Sequence, residues 1–310
     1  MFQPRVAFFG TPSIAVPPLI ALAKHCHIHA VFCNPDRPQR RGHILEPPPT
    51  KATAIKLGLE VHQPESWKDE STKLLWDSLK IDLAIVVAYG HILPPWMLDS
   101  CSLGAWNLHF SLLPKWRGAA PVNYAILSGD EETGVSLMKI TPGLDSGPIL
   151  AQCSRPITMK SSADELLAEL TESATNLLVA HLEKIFSGDT NTWKQDENLV
   201  TIAPKLNKEM AKLNKGKDAM ELHRQIRALQ PWPGAGFRLK DTTIKILEAG
   251  SISPTDNSSG IIGWDKNGVW LSANDNKQLE LLKLQRPGKQ PQPAKQVMQY
   301  WGASGMMEID

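Results

Sequence analysis

The sequence predicts an α/β protein: a mostly parallel β-sheet with helices on both faces, followed by a smaller β-barrel or sandwich. Short apolar runs alternate with helix-like stretches from residue 5 to residue 188. A polar stretch without periodicity follows, and several short apolar runs come after it. At 310 residues the chain also exceeds the usual size of one hydrophobic core. We therefore expect a first domain over 1–188, a linker over 189–208 and a second domain over 209–310.

The elements of the first domain are predicted from these runs. A helix-like stretch, IAVPPLIALAKH, follows the first strand, and Ser162 to Glu165 form a capping box that opens a long amphipathic helix ending before Gly188. The predicted strands are RVAFFG (5–10), IHAVFC (28–33), LEVHQ (59–63), LAIVVA (83–88), AWNLH (105–109) and VSLMKI (135–140). Ligands of such sheets usually bind beyond the carboxyl ends of the strands.

Composition excludes several classes of protein. The longest apolar runs are far shorter than a bilayer span, and the amino-terminal stretch does not have the order of a signal peptide. The four cysteines are scattered without a C-x-x-C pair, which argues against a disulfide framework and against a zinc site. We therefore expect a cytoplasmic protein without a bound metal and without a membrane partner.

Charge is unevenly distributed along a chain whose net charge is only +1. Up to Pro204 there are 17 Lys and Arg residues against 21 Asp and Glu, a net of −4, and after it there are 16 against 11, a net of +5. A basic second part suggests an anionic partner such as nucleic acid. Chance distribution of surface charge is an equally good explanation at this point.

Three polar residues point to chemistry. Asn107 and His109 are two positions apart at the end of a predicted strand, so their side chains share a face. Asp145 follows the strand VSLMKI, and we expect its carboxylate to reach the same site. An amide, an imidazole and a carboxylate, without an evident nucleophile or metal, suit direct transfer of a carbonyl group to an amine. The alternative is a set of polar side chains that close the edge of the sheet.

Two groups of basic residues are candidates for phosphate contacts. Arg37, Arg40 and Arg41 lie in a proline-rich loop directly after a strand, and the residues alone do not decide between a phosphate-binding loop and an ordinary exposed loop. Arg224 and Arg227 lie on a predicted helix, DAMELHRQIRAL, in the second part. A solvated helix face is the competing interpretation.

Taken together, these motifs resemble the methionyl-tRNA formyltransferases, a family of folate-dependent formyltransferases. The resemblance covers nearly the whole chain, and the central stretch is highly specific to this group. It rests on FFGTP, NPDRP with RRG, VVAYGHILP, NLHFSLLPKWRGAAPVNYAI, GDEETGVSLMKITPGLDSGPIL and IRALQPWPGAG. It implies a Rossmann-like first domain and an OB-like second domain.

The resemblance also implies roles for particular residues. Asn107, His109 and Asp145 match the family's catalytic residues, and Arg41 matches the loop arginine that reaches the acceptor stem of the tRNA. The implied substrates are 10-formyltetrahydrofolate and initiator methionyl-tRNA, which a monomer would hold across both domains. Residues assigned to the folate are Ser111, Leu112, Leu113, Pro114, Tyr89 and Gly90. Residues assigned to the tRNA are Arg37, Arg40, Arg41, Arg224 and Arg227.

Three positions depart from the family pattern: Phe110 where a small residue often follows the histidine, His43 where lysine is common, and His91 where an aliphatic residue is common.

Three other functions use similar residues. A formyltetrahydrofolate hydrolase would take water as acceptor, and a formyltransferase for a sugar amine or glycinamide ribotide would take a small amine. An RNA-binding protein with an inactive cleft is the alternative from a different class.

Overall fold

The computed structural model describes residues 3–39 and 44–310, which form two compact units. The first unit comprises Met1–Pro121, Glu132–Pro156 and Leu167–Ala203. The second comprises Val122–Glu131, Ile157–Leu166 and Pro204–Asp310. Each unit has its own sheet and its own core.

The first unit is built on a seven-stranded sheet in the order β10-β9-β7-β6-β1-β2-β5. Five neighbouring strands, β5, β2, β1, β6 and β7, are parallel, which confirms the Rossmann-like, mostly parallel sheet. The strands of this part of the chain are β1 (Val6–Gly10), β2 (Ile28–Phe32), β3 (Arg37–Gln39), β4 (Ile44–Glu46), β5 (Val61–His62), β6 (Leu83–Val87), β7 (Ala105–His109), β8 (Arg117–Gly118), β9 (Glu132–Lys139), β10 (Ile149–Pro156) and β11 (Ile202–Ala203).

Strands β1 and β6 are apolar and buried at every position. A strand of this kind must be covered on both faces of the sheet. The long amphipathic helix α6 is present, and the Glu165 carboxylate accepts hydrogen bonds from the Ser162 N–H (3.3 Å) and Oγ (2.5 Å) at its start. The helices are α1 (Val16–His25), α2 (Pro49–Lys56), α3 (Glu70–Leu79), α4 (Pro95–Ser100), α5 (Pro121–Ser128) and α6 (Ala163–Ser187).

The direction of β9 differs from the expectation for the site. β9 runs antiparallel to β7, with Ser136 beside His109 and Lys139 beside Trp106. The carboxyl end of β9 therefore lies next to the amino end of β7, and Asp145 does not follow a strand that ends at the same edge. Asp145 lies instead in the loop between β9 and β10, and its Oδ2 is 3.6 Å from Nδ1 of His109.

The predicted linker also differs. Residues up to Ala203 pack in the first unit, where β11 pairs with β8 and Trp193 exchanges two backbone hydrogen bonds with Ile149. Backbone pairing and polar side chains hold the segment 189–203 in place. Such contacts need no regular spacing of apolar residues, so the sequence of this segment shows no apolar period.

The second unit contains an antiparallel sheet in the order β12-β13-β16-β15-β14-β18, with β17 paired to β16, which confirms the OB-like domain. Register shifts in β13 allow this long strand to bend. The elements are α7 (Ala219–Ala228), β12 (Gly236–Leu239), β13 (Thr242–Pro254), β14 (Ile261–Trp264), β15 (Val269–Ser272), β16 (Lys277–Gln285), β17 (Gln292–Pro293), α8 (Ala294–Met298) and β18 (Gly305–Glu308).

Helix α7 is the main helix of this sheet's core. Asp218 caps it through the Glu221 N–H (2.7 Å), and Glu221 accepts in return from the Asp218 N–H (3.0 Å). Its apolar face contributes Leu222 and Ile226 to a core shared with residues such as Phe237. No helix in the described part of the chain is long and apolar enough to cross a bilayer.

Candidate active site

Asn107 and His109 lie on the same face at the end of β7, as their spacing predicted. The Asn107 side chain is partly exposed, and its amide has no hydrogen-bond partner among the residues that the structure describes. Its donor and acceptor are therefore available to a ligand. The His109 ring is almost completely buried, with 5 % of the residue exposed.

The two ring nitrogens of His109 have different neighbours. Nε2 lies 2.9 Å from the carbonyl oxygen of Trp116, which can only accept, so Nε2 carries a proton. Nδ1 lies 3.6 Å from Oδ2 of Asp145, which is longer than a hydrogen bond. In the neutral ring Nδ1 is therefore the unprotonated atom, and it faces a carboxylate that stabilises it once it gains a proton.

Asp145 is held in an uncommon backbone conformation. Its φ of 45° is in the left-handed region, which a non-glycine residue adopts only with support from its surroundings. Oδ2 accepts a hydrogen bond from the Gly118 N–H at 2.8 Å. Gly118 itself has a φ of 121°, and a Cβ at this position would lie 2.6 Å from the Ala203 oxygen. Glycine is therefore required where the chain donates to Asp145.

A polar network surrounds the backbone of Asp145. The Gln195 amide donates to the carbonyl oxygens of Asp145 and Gly147, at 2.8 Å each. Its oxygen accepts from Nε and Nη2 of Arg117, at 3.0 and 2.9 Å. Arg117 is buried and also forms a bidentate ion pair with Glu197, whose pKa is held below its usual range by these hydrogen bonds. The buried charge is thus fully paired.

This arrangement can carry out acyl transfer without a covalent enzyme intermediate. An amide donor, an imidazole with one unprotonated nitrogen and a carboxylate converge within one unit. Residues 3–39 and 44–310 contain no cluster of three or more His, Cys, Asp or Glu side chains that could hold a metal ion. The four cysteines are free thiols, and burial raises the pKa of Cys33 and Cys101 to about 11. These two thiols are accordingly unsuited to act as nucleophiles.

Comparison with known proteins identifies the family. Residues 4–182 match the formyl transferase family, and residues 205–300 match the formyl transferase C-terminal domain. The chain is 41 % identical over 293 residues to the methionyl-tRNA formyltransferase of Halorhodospira halophila, and the match covers 94 % of each chain. The chain belongs to the methionyl-tRNA formyltransferase family.

A second relative agrees with this family, and a solved structure shares the fold. The methionyl-tRNA formyltransferase of Legionella pneumophila (strain Paris) is 39 % identical over 287 residues, with 91 % of each chain covered. Among solved structures, the N-formyltransferase of Helicobacter canadensis, in complex with folinic acid and dTDP-3-aminofucose, has a TM-score of 0.70 at 20 % identity. That match covers 92 % of this chain and all of the other, and it establishes the shared fold alone.

The structure separates the residues assigned to folate into two groups. Gly90 is exposed, and Leu112 and Pro114 are partly exposed. Ser111, Leu113 and Tyr89 are buried, so they can shape the wall of a folate site but do not present their side chains to it. Ser136 and Gln152 fix the backbone of this segment. The Ser136 hydroxyl accepts from the Leu113 N–H and donates to the Ser111 carbonyl, and the Gln152 amide donates to the Leu113 carbonyl.

The five arginines that we assigned to tRNA binding differ in their surroundings. Arg37 is exposed on β3. Arg40, Arg41 and His43 lie outside the described residues. Arg224 donates no hydrogen bond to any residue in the described part of the chain. Arg227 donates to Nδ1 of His223 and to two backbone carbonyls, as described below.

The guanidinium of Arg227 is engaged within the second unit. Nη1 donates to the carbonyl oxygens of Thr158 (3.1 Å) and Ser161 (2.6 Å), and Nε donates to His223 (3.1 Å). Arg224, one turn earlier, packs against Gly129 without such partners. Arg227 therefore has a structural role in the second unit, and Arg224 is the better placed of the two for an anionic ligand.

A cavity of about 580 Å³ in the second unit adds basic groups that the sequence did not single out. Its lining includes Lys208, Lys212, Arg238 and Lys245. Asp310 also lines the cavity, and the three polar residues of the first unit do not, so it is not the centre of the reaction. Gln195 and Arg117 were also missed, because neither residue belongs to a local pattern that indicates a role.

Proposed function

We propose that this chain transfers the formyl group of 10-formyltetrahydrofolate to the free amino group of initiator methionyl-tRNA. The product is N-formylmethionyl-tRNA, which serves in translation initiation. The observation that carries the proposal is the Asn107 amide, which has no hydrogen-bond partner among the described residues, on the same strand end as the His109–Asp145 pair, in a chain that matches the formyl transferase family and its C-terminal domain. We further propose that the protein acts in the cytoplasm as a monomer.

Asn107 supplies the donor for the oxyanion. When the neutral amine attacks the formyl carbon, the formyl oxygen gains negative charge, and an amide N–H aimed at it lowers the barrier. Asn107 fits this role because its side chain is accessible and has no competing partner in the described part of the chain. No reorganisation of protein hydrogen bonds is needed before it donates.

In this proposal His109 accepts the proton of the amine, and Asp145 stabilises the resulting charge. The amine must lose a proton as its bond to the formyl carbon forms, and the unprotonated Nδ1 of His109 is the acceptor that the geometry supports. The imidazolium that results lies 3.6 Å from Asp145, and this proximity stabilises it. When the bond between the formyl carbon and N10 breaks, His109 gives the proton taken from the amine to N10, and tetrahydrofolate leaves.

The second unit supplies phosphate contacts in this proposal. The Arg224 guanidinium, which has no hydrogen-bond partner within residues 3–39 and 44–310, and the lysines of the cavity are available for the tRNA backbone. Arg37, Arg40 and Arg41 remain predictions for the acceptor end of the tRNA. This division assigns chemistry to the first unit and part of the affinity to the second.

Formyl transfer from labelled 10-formyltetrahydrofolate tests the proposal. Initiator methionyl-tRNA, elongator methionyl-tRNA and water serve as parallel acceptors for the purified full-length protein. We expect formylated initiator methionyl-tRNA as the main product. Release of formate to water alone would identify a hydrolase instead, and turnover with a small sugar amine but not with the tRNA would place the chain among the sugar formyltransferases.

A further inference from the structure

Gln195 connects the segment 189–203 to the reaction centre. It is buried, with 9 % of the residue exposed, in a stretch that is otherwise largely exposed. Its two amide hydrogens go to the carbonyls of Asp145 and Gly147, and its oxygen accepts twice from Arg117. All of its hydrogen-bonding capacity is used. The orientation of the amide is fixed as well. In the reverse orientation the amide N–H groups would face the Arg117 guanidinium, and the amide oxygen would face the carbonyls of Asp145 and Gly147.

Hydrogen bonds through Gly118, Arg117 and Gln195 connect the carboxylate of Asp145 to its own backbone carbonyl. The carboxylate accepts from the Gly118 N–H, and Gly118 follows Arg117 in the chain. The Arg117 guanidinium donates to Gln195, which donates to the carbonyl of Asp145. The Asp145 backbone, at a φ of 45°, is therefore held from its carbonyl by Gln195 and from its side chain by Gly118.

We infer that Gln195 is a positioning residue for the reaction: it fixes the Asp145 backbone so that the carboxylate faces Nδ1 of His109. This inference rests on the proposed function. In the described chain the hydrogen bonds of the Gln195 side chain go to Arg117 and to the backbone of Asp145 and Gly147, so it acts through Asp145. Two N–H donors of Arg117 saturate the acceptor side of the amide, so the amide N–H groups remain directed at the Asp145 loop. Glu197 pairs with Arg117 and forms no hydrogen bond to Gln195 in the described chain.

The substitution Gln195→Glu tests this inference, because it keeps the shape and the bond to Arg117 but removes both donors. A carboxylate oxygen would then face two carbonyl oxygens, and the Asp145 loop must move away. We expect kcat for formyl transfer to fall by about 10²-fold, the loss typical of a displacement of about 1 Å at a reacting group. KM for 10-formyltetrahydrofolate and for the tRNA should stay within about twofold, since protein groups occupy every hydrogen-bonding position of the Gln195 side chain and the loss is expected in the chemical step.

Glu197→Gln is the matched control. It removes the charge that pairs with Arg117, but it leaves the Gln195 donors to Asp145 in place. We expect kcat close to that of the wild type. Equal losses of kcat in both variants would overturn the inference, because the Arg117 pairing and not the Gln195 donors would then control the rate.

A readout of His109 separates positioning from general support of the fold. The side-chain ¹⁵N signals of His109, measured at one pH in folded protein, should differ between the wild type and Gln195→Glu and should be unchanged in Glu197→Gln. A variant with a lower Tm, but with wild-type kcat per folded molecule and unchanged His109 signals, would overturn the inference. If the wild type forms no formylmethionyl-tRNA, the proposed function fails, whereas normal wild-type turnover with an equally active Gln195→Glu variant refutes only the role of Gln195.

Discussion

At the scale of single residues, Asp145 in the proposed site is held by side chains from distant parts of the chain. Asn107 and His109 could be predicted because an extended strand places alternate residues on one face. Gln195 could not, because its partners are 48 to 78 residues away in the chain and no local period connects them. Asp145 was expected at the site, but through a strand direction that the structure does not have.

Asn107→Ala should reduce kcat without reducing stability. Removing one oxyanion donor typically costs about 10²- to 10³-fold in rate. The Asn107 amide has no protein partner in the residues described, so its removal leaves no buried group unpaired. Steady-state kinetics and thermal unfolding of the same preparation would measure both effects. Near-full turnover by the variant would contradict the assignment of Asn107.

His223 makes stability depend on pH. It is buried, and its pKa is lowered from 6.5 to about 4, first by burial and then by the charge of Arg227. The unfolded chain takes up a proton near pH 6.5, while the folded chain does not do so until about pH 4. Stability is therefore expected to fall as the pH is lowered through this window, by an amount on the order of a few kcal/mol.

The measurement is Tm of the full-length protein against pH for the wild type and His223→Gln. The variant cannot gain a proton on unfolding at this position, so its Tm should vary less with pH between about 6.5 and about 4. Identical pH dependence in both proteins would mean that His223 does not control this part of the curve. His181, on α6, provides a comparison histidine for the same substitution.

At the scale of elements, apolar runs predicted where the strands lie but not which way they run. Strands buried on both faces read as continuous apolar runs whether their neighbours are parallel or antiparallel. β6 and β9 illustrate this, because both are buried over most of their length and only β9 is antiparallel to β7. The segment 189–203 was predicted as part of a linker over 189–208 for a related reason, since hydrogen-bonded extended chain has no apolar period.

Helix α7 offers a comparison of two arginines one turn apart. Arg224→Ala should weaken tRNA binding and leave Tm nearly unchanged, because its guanidinium has no hydrogen-bond partner in the described chain. Arg227→Ala should lower the stability of the second unit, because the His223 nitrogen and the Thr158 and Ser161 carbonyls lose their donor. Binding of labelled tRNA and thermal unfolding distinguish the two. Equal effects of both substitutions on binding would contradict this division.

At the scale of the whole molecule, the uneven charge predicts how binding responds to salt. The part after Pro204 has a net charge of +5, although the entire chain has only +1. If this part contacts tRNA phosphates, the logarithm of the binding constant should fall linearly with the logarithm of the salt concentration. Arg224→Ala should reduce the slope by about 1, as expected for one lost phosphate contact. Titrations over a range of KCl concentrations measure the slope, and a flat response would refute phosphate binding.

The pairing of Trp193 with Ile149 has a consequence for any shortened form of this chain. β10 is the outermost strand of its sheet, and the two backbone hydrogen bonds from Trp193 cover the beginning of its free edge. A fragment cut after Gly188 would lose this cover together with Gln195, and an unpaired strand edge can recruit the same edge of another molecule. A fragment that extends to Ala203 keeps both. The two fragments differ only in fifteen residues that have no recognisable sequence pattern. With these residues the strand edge is protected, and without them the fragment is prone to aggregate.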